Sequence, residues 1–391
     1  MDDIVILSGA RSAIGTFGGS LSGLPLSEVA TTVTRAALER AGIDPARIGT
    51  VAFGHVLNTE PRDAYLSRVA AIGAGIPDTT PAMNVNRLCG SGAQAIVSVA
   101  QALALGDAEF GLAGGAEGMS RAPHTLNVAR FGQKMGDIKA VDMMIGALNC
   151  PFGTGHMGVT AENVAAESVI SREEQDAFAL LSQQRAAAAI AEGRFASQIV
   201  PITLKGRKGD VTFDTDEHPK ATSLEALAGL RPAFKKEGSV TAGNASGIND
   251  GAAAVVLARA DAAQKAGLKP VARLLGYGIA GVRPEVMGFG PIPAVQQLCA
   301  RIGMSVDQFD VIESNEAFAA QALAVTKALG LDPAKVNPNG GAIALGHPLG
   351  ATGAILTVKA LYELERIGGR YGLITMCIGG GQGIALAIER L

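Results

Sequence analysis

The 391-residue chain has no Trp, four Tyr and only 4% aromatic residues. It therefore offers few rings on which bases could stack, and a net charge of −3 leaves no basic excess for phosphates. A nucleic-acid partner is excluded on those grounds. Charged residues are scarce at 18% while 48% are hydrophobic, a balance that disordered chains do not have. Cysteines are few: Cys89, Cys150, Cys299 and Cys377 lie far apart and none forms a CxxC pair. Neither a disulfide scaffold nor a metal site is indicated. No apolar run approaches the roughly 20 residues that span a bilayer. The N-terminal Met1-Asp2-Asp3-Ile4-Val5-Ile6-Leu7 lacks the basic region of a signal peptide, and Ile388-Glu389-Arg390-Leu391 is not a peroxisomal address. These absences predict a soluble cytoplasmic protein with no membrane partner. Glycine, by contrast, is abundant: 51 of 391 residues, against a usual share of about 7%.

Short apolar runs alternate with helical patterns near the N-terminus. Ile4–Leu7 and Val51–Phe53 read as buried strands. Leu26, Val29, Ala30, Val33, Ala36 and Ala37 keep helical spacing, and Gly42 supplies the stop. Ala93–Leu105 is apolar almost all round and predicts a helix buried on every side. Phe110–Ala113 follows as a strand ending at Gly114-Gly115. This alternation predicts a layered α/β sheet, largely parallel. From Met119 to Gly247 the composition changes, with more Met, His and charge. One helix is clear there, opened by the capping box Ser171-Arg172-Glu173-Glu174 and ended at Gly193. The last third repeats the order of the first: glycine turn, helix, strand, glycine pair. Gly340–Gly353 leads into a helix, and Leu373–Met376 is a strand running into Cys377-Ile378-Gly379-Gly380-Gly381.

Four segments carry candidate chemistry. Cys89, in Asn86-Arg87-Leu88-Cys89-Gly90-Ser91-Gly92, stands directly before a buried helix. A helix N-terminus favours a thiolate, although a small core cysteine reads equally well. His347 lies on a tight turn in Gly346-His347-Pro348-Leu349-Gly350, and it makes a Cys–His nucleophile pair plausible. Cys377 sits at a strand end, where active-site residues collect in parallel sheets. Asn315, in Glu313-Ser314-Asn315-Glu316-Ala317-Phe318, reads by itself as an N-cap. Glu316 reads as a buried hydrogen-bonding group. The basic run Lys205, Arg207 and Lys208 reads as a solvated loop, with nucleotide phosphates as its other possible partner.

Taken together, these segments resemble the thiolase family. Leu88-Cys89-Gly90-Ser91-Gly92, Asn315-Glu316-Ala317-Phe318-Ala319-Ala320-Gln321, Gly346-His347-Pro348 and Cys377-Ile378-Gly379-Gly380-Gly381 fall in the family's order. His156-Met157-Gly158-Val159-Thr160-Ala161-Glu162-Asn163 and Thr241-Ala242-Gly243-Asn244-Ala245-Ser246-Gly247 extend the likeness through the middle, from Ser8-Gly9-Ala10-Arg11-Ser12 to Leu391. The likeness is closest to bacterial short-chain β-ketothiolases (acetyl-CoA acetyltransferases). Thr59-Glu60-Pro61-Arg62-Asp63 and Val85–Cys89 are similar to those that take slightly longer acyl chains and feed polyhydroxyalkanoate synthesis.

The resemblance implies duplicated βαβαβ halves in a layered α-β-α-β-α sandwich with an inserted loop domain. The halves would span 1–118, continued at 248–270, and 271–391, and the insert 119–247. It implies reversible Claisen condensation of two acetyl-CoA, or of acetyl-CoA with a short acyl-CoA such as propionyl-CoA, releasing free CoA. Cys89 would carry the acyl group, His347 would take its proton, and Cys377 would move the α proton. A thiol suits that last task because its ordinary pKa, about 8.5, lies near the working pH. His347 with a water held by Asn315 would form one oxyanion hole, and the backbone N–H groups of Cys89 and Gly379 the other. Leu148, His156, Met157, Phe234, Ala242, Ser246, Ala317 and Phe318 would line the pantetheine tunnel. Lys220 replaces an Arg frequent in relatives, and lacks the planar guanidinium that stacks. No cofactor or metal is implied, and Arg130–Met144 matches a segment that joins dimers into homotetramers. Two other chemistries compete. A ketoacyl synthase has no Cys in its last glycine turn, and an NAD enzyme needs GxGxxG, which Gly9-Ala10-Arg11-Ser12-Ala13-Ile14-Gly15 does not supply. A catalytically dead lipid-binding relative is disfavoured by the intact Cys89, Asn315, His347 and Cys377. A degradative thiolase for longer 3-ketoacyl-CoA remains the alternative within the family.

Overall fold

The computed structural model describes residues 4–207 and 209–391. The first half supplies β1 (Ile4–Arg11), α1 (Leu26–Ala41), β2 (Ile48–Gly54), α2 (Leu66–Gly73), β3 (Ala82–Val85), α3 (Ser91–Leu105) and β4 (Phe110–Gly118). The middle contributes α4 (Met157–Glu167) and α5 (Arg172–Ala191). The rest adds β5 (Asn249–Arg259), β6 (Ala272–Gly281), α6 (Pro291–Ile302), β7 (Val311–Ser314), α7 (Ala319–Leu329), α8 (Thr352–Ile367), β8 (Tyr371–Ile378) and β9 (Gln382–Arg390).

The central sheet runs β7-β8-β9-β6-β1-β5-β4-β2-β3. It contains the same pairing sequence twice. β2 pairs with β4 in parallel, then β4, β5 and β1 pair antiparallel. Likewise β7 pairs with β8 in parallel, then β8, β9 and β6 pair antiparallel. The halves meet where β1 touches β6 through Val5–Arg273 and Ile6–Ala272, also antiparallel. The expected largely parallel sheet is thereby corrected to a mixed one. The reason is the long excursion between β4 and β5. Those strands pair from Phe110–Ala258 to Gly118–Asp250, so residues 119–248 leave and rejoin the sheet at one point. A chain returning to its point of departure pairs antiparallel.

Local signals explain the elements. Gly42, Gly303, Gly330 and Gly368 all stand in left-handed conformation just past a helix, where a Cβ would be strained. At α5, Ser171 Oγ accepts from Glu174 N at 3.2 Å, and Glu174 Oε2 accepts from Ser171 N at 2.7 Å. β4 does not end at Gly114-Gly115 but continues to Gly118, because its pairing with β5 runs on to Gly118–Asp250; at Gly115 a Cβ would run into the Gly350 carbonyl.

Residues Leu88–Leu105 have a mean hydropathy of 1.5 over 18 residues, enough by length and composition for a membrane span. Here that segment is a core helix, packed on β4, β2 and α8. It is not buried on every side, since Leu105 at its end is 81% exposed. The middle segment is anchored to the sheet by a fully buried ion pair. Arg11 Nη1 and Nη2 donate to the Asp216 carboxylate at 2.7 and 2.9 Å, and Arg11 Nε donates to Gln198 at 2.7 Å.

Candidate active site

The residues singled out in the sequence meet at one edge of the sheet. Cys89 follows β3, Asn315 follows β7, and Cys377 and Gly379 lie at the end of β8. These are the carboxyl ends of the strands in the parallel pairs, where a parallel sheet opens its crevice. A cavity of about 770 Å³ starts there and runs out between the sheet and the middle segment. Cys89, His347, Cys377 and Gly379 line it, as do Leu148, His156, Met157, Lys220, Phe234, Ala242, Ser246, Ala317 and Phe318. Asn315 is fully buried behind His347.

Cys89 occupies a tight turn. Leu88, just before it, has φ of 46°, a conformation that disfavours a branched side chain. Asn86 Oδ1 accepts from Leu88 N at 3.0 Å. Ser91 Oγ accepts from Arg87 N at 2.8 Å and donates to Leu88 O at 2.6 Å. Cys89 is half-buried, and burial pushes its thiol up to about 11, against the pull of the backbone N–H groups of Gly379 and of Cys89 itself. The expectation of a resting thiolate is corrected: desolvation outweighs the partial charge of the helix end.

His347 is fully buried among neutral partners. Its Nδ1 lies 2.7 Å from Thr352 Oγ1, which itself donates to Pro348 O at 2.9 Å. The single hydroxyl proton is thus spent, so Nδ1 carries the proton and Nε2 presents its lone pair. Asn315 Nδ2 stands 3.3 Å from that Nε2, and Asn315 Oδ1 has no partner. Burial pushes His347 down to about 4, so the ring is neutral near pH 7 and able to accept a proton. The backbone is held by Asn249, whose Oδ1 accepts from His347 N at 3.0 Å and whose Nδ2 donates to Gly15 O at 2.9 Å. Asn315 is not an N-cap, because the next helix starts at Ala319 with Phe318 before it.

Cys377 is fully buried. Burial, with Cys89 as a lesser cause, pushes its thiol far above the ordinary range. The expected match to working pH is corrected, since in the free protein Cys377 is an acid. The two cysteines have separate apolar surroundings. Cys89 packs with Leu57, Met119, Met144 and Leu349, and Cys377 with Cys150, Met157, Met287 and Phe318. Cys150 is thus buried filler beside the site, and Cys299 lies half-buried in another core cluster.

His156 stacks on Phe234 with ring centroids 4.7 Å apart, and Phe234 meets Phe318 edge-on at 6.1 Å. This trio walls the outer cavity. Lys220 is exposed at its rim, tied by its backbone N–H to Gln183 Oε1 at 2.9 Å. Glu316 is buried, accepting from Ser182, Asn337 and Ile343 N at 2.7, 2.8 and 3.2 Å. Lys205 is paired with Asp210 at 2.6 Å in the open, and neither it nor Arg207 lines the cavity. Lys208 lies outside the described residues. Among the described residues no three His, Cys, Asp or Glu side chains are grouped as metal ligands would be. Thr352, Asn249, Met119, Met287 and His218 join or support the site without having been singled out in the sequence.

Comparison with known proteins gives the same answer from another side. Residues 4–261 match the family described as "Thiolase, N-terminal domain" and residues 268–390 "Thiolase, C-terminal domain". The chain is 60% identical over 391 residues to "Beta-ketothiolase BktB" of Cupriavidus necator, covering 100% of this chain and 99% of that one. The solved Bacillus anthracis acetyl-CoA acetyltransferase superposes with a TM-score of 0.97 at 46% identity, covering 100% and 99% of the two chains. Human mitochondrial 3-ketoacyl-CoA thiolase in complex with CoA gives 0.96 at 44% identity, covering 99% and 98%. In sequence and in fold, along its whole length, this chain belongs to the thiolase family.

Proposed function

We propose that the protein is a β-ketothiolase, an acetyl-CoA C-acetyltransferase. It joins two acetyl-CoA, or acetyl-CoA and a short acyl-CoA such as propionyl-CoA, and in reverse cleaves a 3-ketoacyl-CoA with free CoA. The observation that carries this reading is the meeting of two thiols with one neutral imidazole in the lining of a mostly apolar cavity. One thiol is needed to carry an acyl group and a second to move a proton at carbon. A simple acyl transferase needs only the first.

His347 Nε2 takes the proton of Cys89 as its sulfur attacks the thioester carbonyl, then returns it to the departing CoA sulfur. Acetyl-Cys89 is the intermediate. Its carbonyl oxygen lies under the N–H groups of Cys89 and Gly379, and the thioester oxygen of the second acetyl-CoA faces a water held by Asn315, together with His347 Nε2 once that nitrogen holds a proton. Cys377 exchanges the α proton. As a protonated thiol it is ready to protonate the carbanion released in cleavage, and for condensation it must first pass its proton to a base, the vacant Nε2 of neutral His347. Neither half-reaction calls for a metal or a redox group.

CoA would enter along the His156–Phe234–Phe318 wall, with Lys220 at the mouth. Apolar walls with few polar anchors suit the thin pantetheine arm. The segment Arg130–Met144 projects Phe131 and Met135, 92% and 88% exposed, as the surface through which dimers would pair into a homotetramer. Two working thiols that must stay reduced fit the cytoplasm, and a role in supplying polyhydroxyalkanoate synthesis rests on the likeness of Thr59-Glu60-Pro61-Arg62-Asp63 and Val85–Cys89. The test is loss of acetoacetyl-CoA absorbance on adding free CoA, run beside 3-ketovaleryl-CoA. Rapid CoA-dependent loss is expected for both. No loss of either, in folded protein with free thiols, contradicts the proposal.

A further inference from the structure

Glu117 is a carboxylate in an otherwise apolar, glycine-rich strand, β4, and it is fully buried. Among the described residues no Lys or Arg pairs with it. Oε2 accepts from Gly350 N at 2.8 Å and Val56 N at 3.1 Å, and Oε1 accepts from Leu57 N at 3.1 Å. His55 Nδ1 is 3.5 Å from Oε1 and 3.1 Å from Ala116 O, so that nitrogen also carries a proton. Every neighbour is a donor. An ionised carboxylate satisfies them all, whereas an amide would turn its own N–H groups on theirs.

The groups it holds belong to opposite halves of the molecule. Gly350 is three residues past His347 on the loop that carries the imidazole. Leu57 packs with Leu349 and Met119 in the wall beside Cys89. The Gly350 carbonyl is seated in a socket of glycines from the first half: a Cβ at Gly54, Gly92 or Gly115 would run into its oxygen. Gly92 stands in the first turn of α3, just past Cys89. The socket receives one end of the Gly350 peptide unit, and Glu117 clamps the neighbouring N–H.

We propose that Glu117 is a positioning residue for the thiolase reaction, setting the His347 loop against the Cys89 turn across the boundary between the halves. It touches no substrate and acts through Gly350. Proton transfer from thiol to imidazole depends steeply on placement, so a loop that shifts by a fraction of an ångström slows chemistry without emptying the cavity. This inference rests on the reading of Cys89 and His347 given above.

The test is single-turnover acetylation of Cys89 by saturating acetyl-CoA, followed by mass spectrometry in wild type and Glu117→Gln. Melting behaviour and iodoacetamide alkylation of Cys89 are measured alongside. Folded Glu117→Gln is expected to acetylate roughly tenfold more slowly or worse, the scale of one lost charge-assisted hydrogen bond, with KM for acetyl-CoA within about twofold. Alkylation should be no slower, because the thiol stays accessible and loses a negative neighbour that opposes its ionisation. A merely structural role would slow both reactions together, and that result overturns the proposal. So does acetylation at the wild-type rate. If Glu117→Gln does not fold, Glu117→Asp keeps the charge but falls short of spanning both loops, and is expected to show the same split. If neither variant folds, Glu117 serves stability alone and the proposal falls. If wild-type Cys89 is not acetylated, the reading of the reaction fails and this inference with it.

Discussion

The thiol of Cys89 permits a quantitative test, because two effects on it oppose each other. The helix end and the N–H groups of Gly379 and Cys89 pull its pKa down, while burial, with a smaller push from Glu117, drives it up to about 11. Against an ordinary cysteine value of 9.0 the upward shift is two units, so the thiolate fraction at neutral pH is about a hundredfold lower than that of an unperturbed cysteine. Alkylation by iodoacetamide needs the thiolate but not His347 in any special place. Its rate should climb about tenfold per pH unit from 7 towards 10 without levelling. Acetylation by acetyl-CoA has the imidazole to help it and should be fast and nearly flat over the same range. The assay is stopped-time alkylation with mass mapping to Cys89, in parallel with rapid-quench acetylation. An alkylation rate already at its plateau by pH 7 would refute the reasoning, since it would mean that a standing thiolate survives burial.

Three further outcomes follow from particular contacts. Thr352→Val removes the acceptor that fixes the His347 tautomer, so kcat should fall roughly 10- to 100-fold with KM little changed. A thiolysis assay on acetoacetyl-CoA checks this, and an unchanged kcat would contradict the tautomer assignment. Lys359→Met strips the buried Glu313 of its salt bridge, 2.7 Å long, while Glu313 Oε1 has no partner among the described residues. Unfolding in urea should show a loss of about 3–5 kcal/mol. Finally, His347 titrates at about 4 in the folded chain against 6.5 ordinarily, so the unfolded chain binds the extra proton first. Its contribution to stability is complete above pH 6.5 and is lost as pH falls towards 4, on the order of 3 kcal/mol. A His347→Asn variant should show a correspondingly shallower acid limb in pH-dependent melting.

What could be read in the sequence was mostly local. Gly42 and Gly330 end helices because a left-handed residue is needed there whatever the tertiary fold. The Ser171–Glu174 box opens a helix through its own backbone. The loops bearing Cys89, His347 and Cys377 announced themselves by their glycines. Properties set by distant parts of the chain were not legible. The dipole argument at Cys89 and the pKa argument at Cys377 both failed on burial, which no neighbouring residue reveals. The antiparallel pairing of β4 with β5 depends on where a 130-odd-residue excursion returns. Thr352 carries no sign in the sequence, and only its distance to His347 assigns it a partner. Glu117 did leave a trace, as the lone charge in Phe110–Gly118, but its three backbone donors come from loops remote in sequence.

The central claim is that Cys89 carries the acyl group while Cys377 works only on the α proton. Incubating Cys377→Ser and Cys89→Ser variants with acetyl-CoA tests it most directly, using peptide mass spectrometry and an assay for acetoacetyl-CoA. The account predicts that Cys377→Ser accumulates acetyl on Cys89 and forms essentially no acetoacetyl-CoA, while Cys89→Ser holds no acetyl on Cys377. Condensation by Cys377→Ser at the wild-type rate, or acetyl found on Cys377, would contradict it.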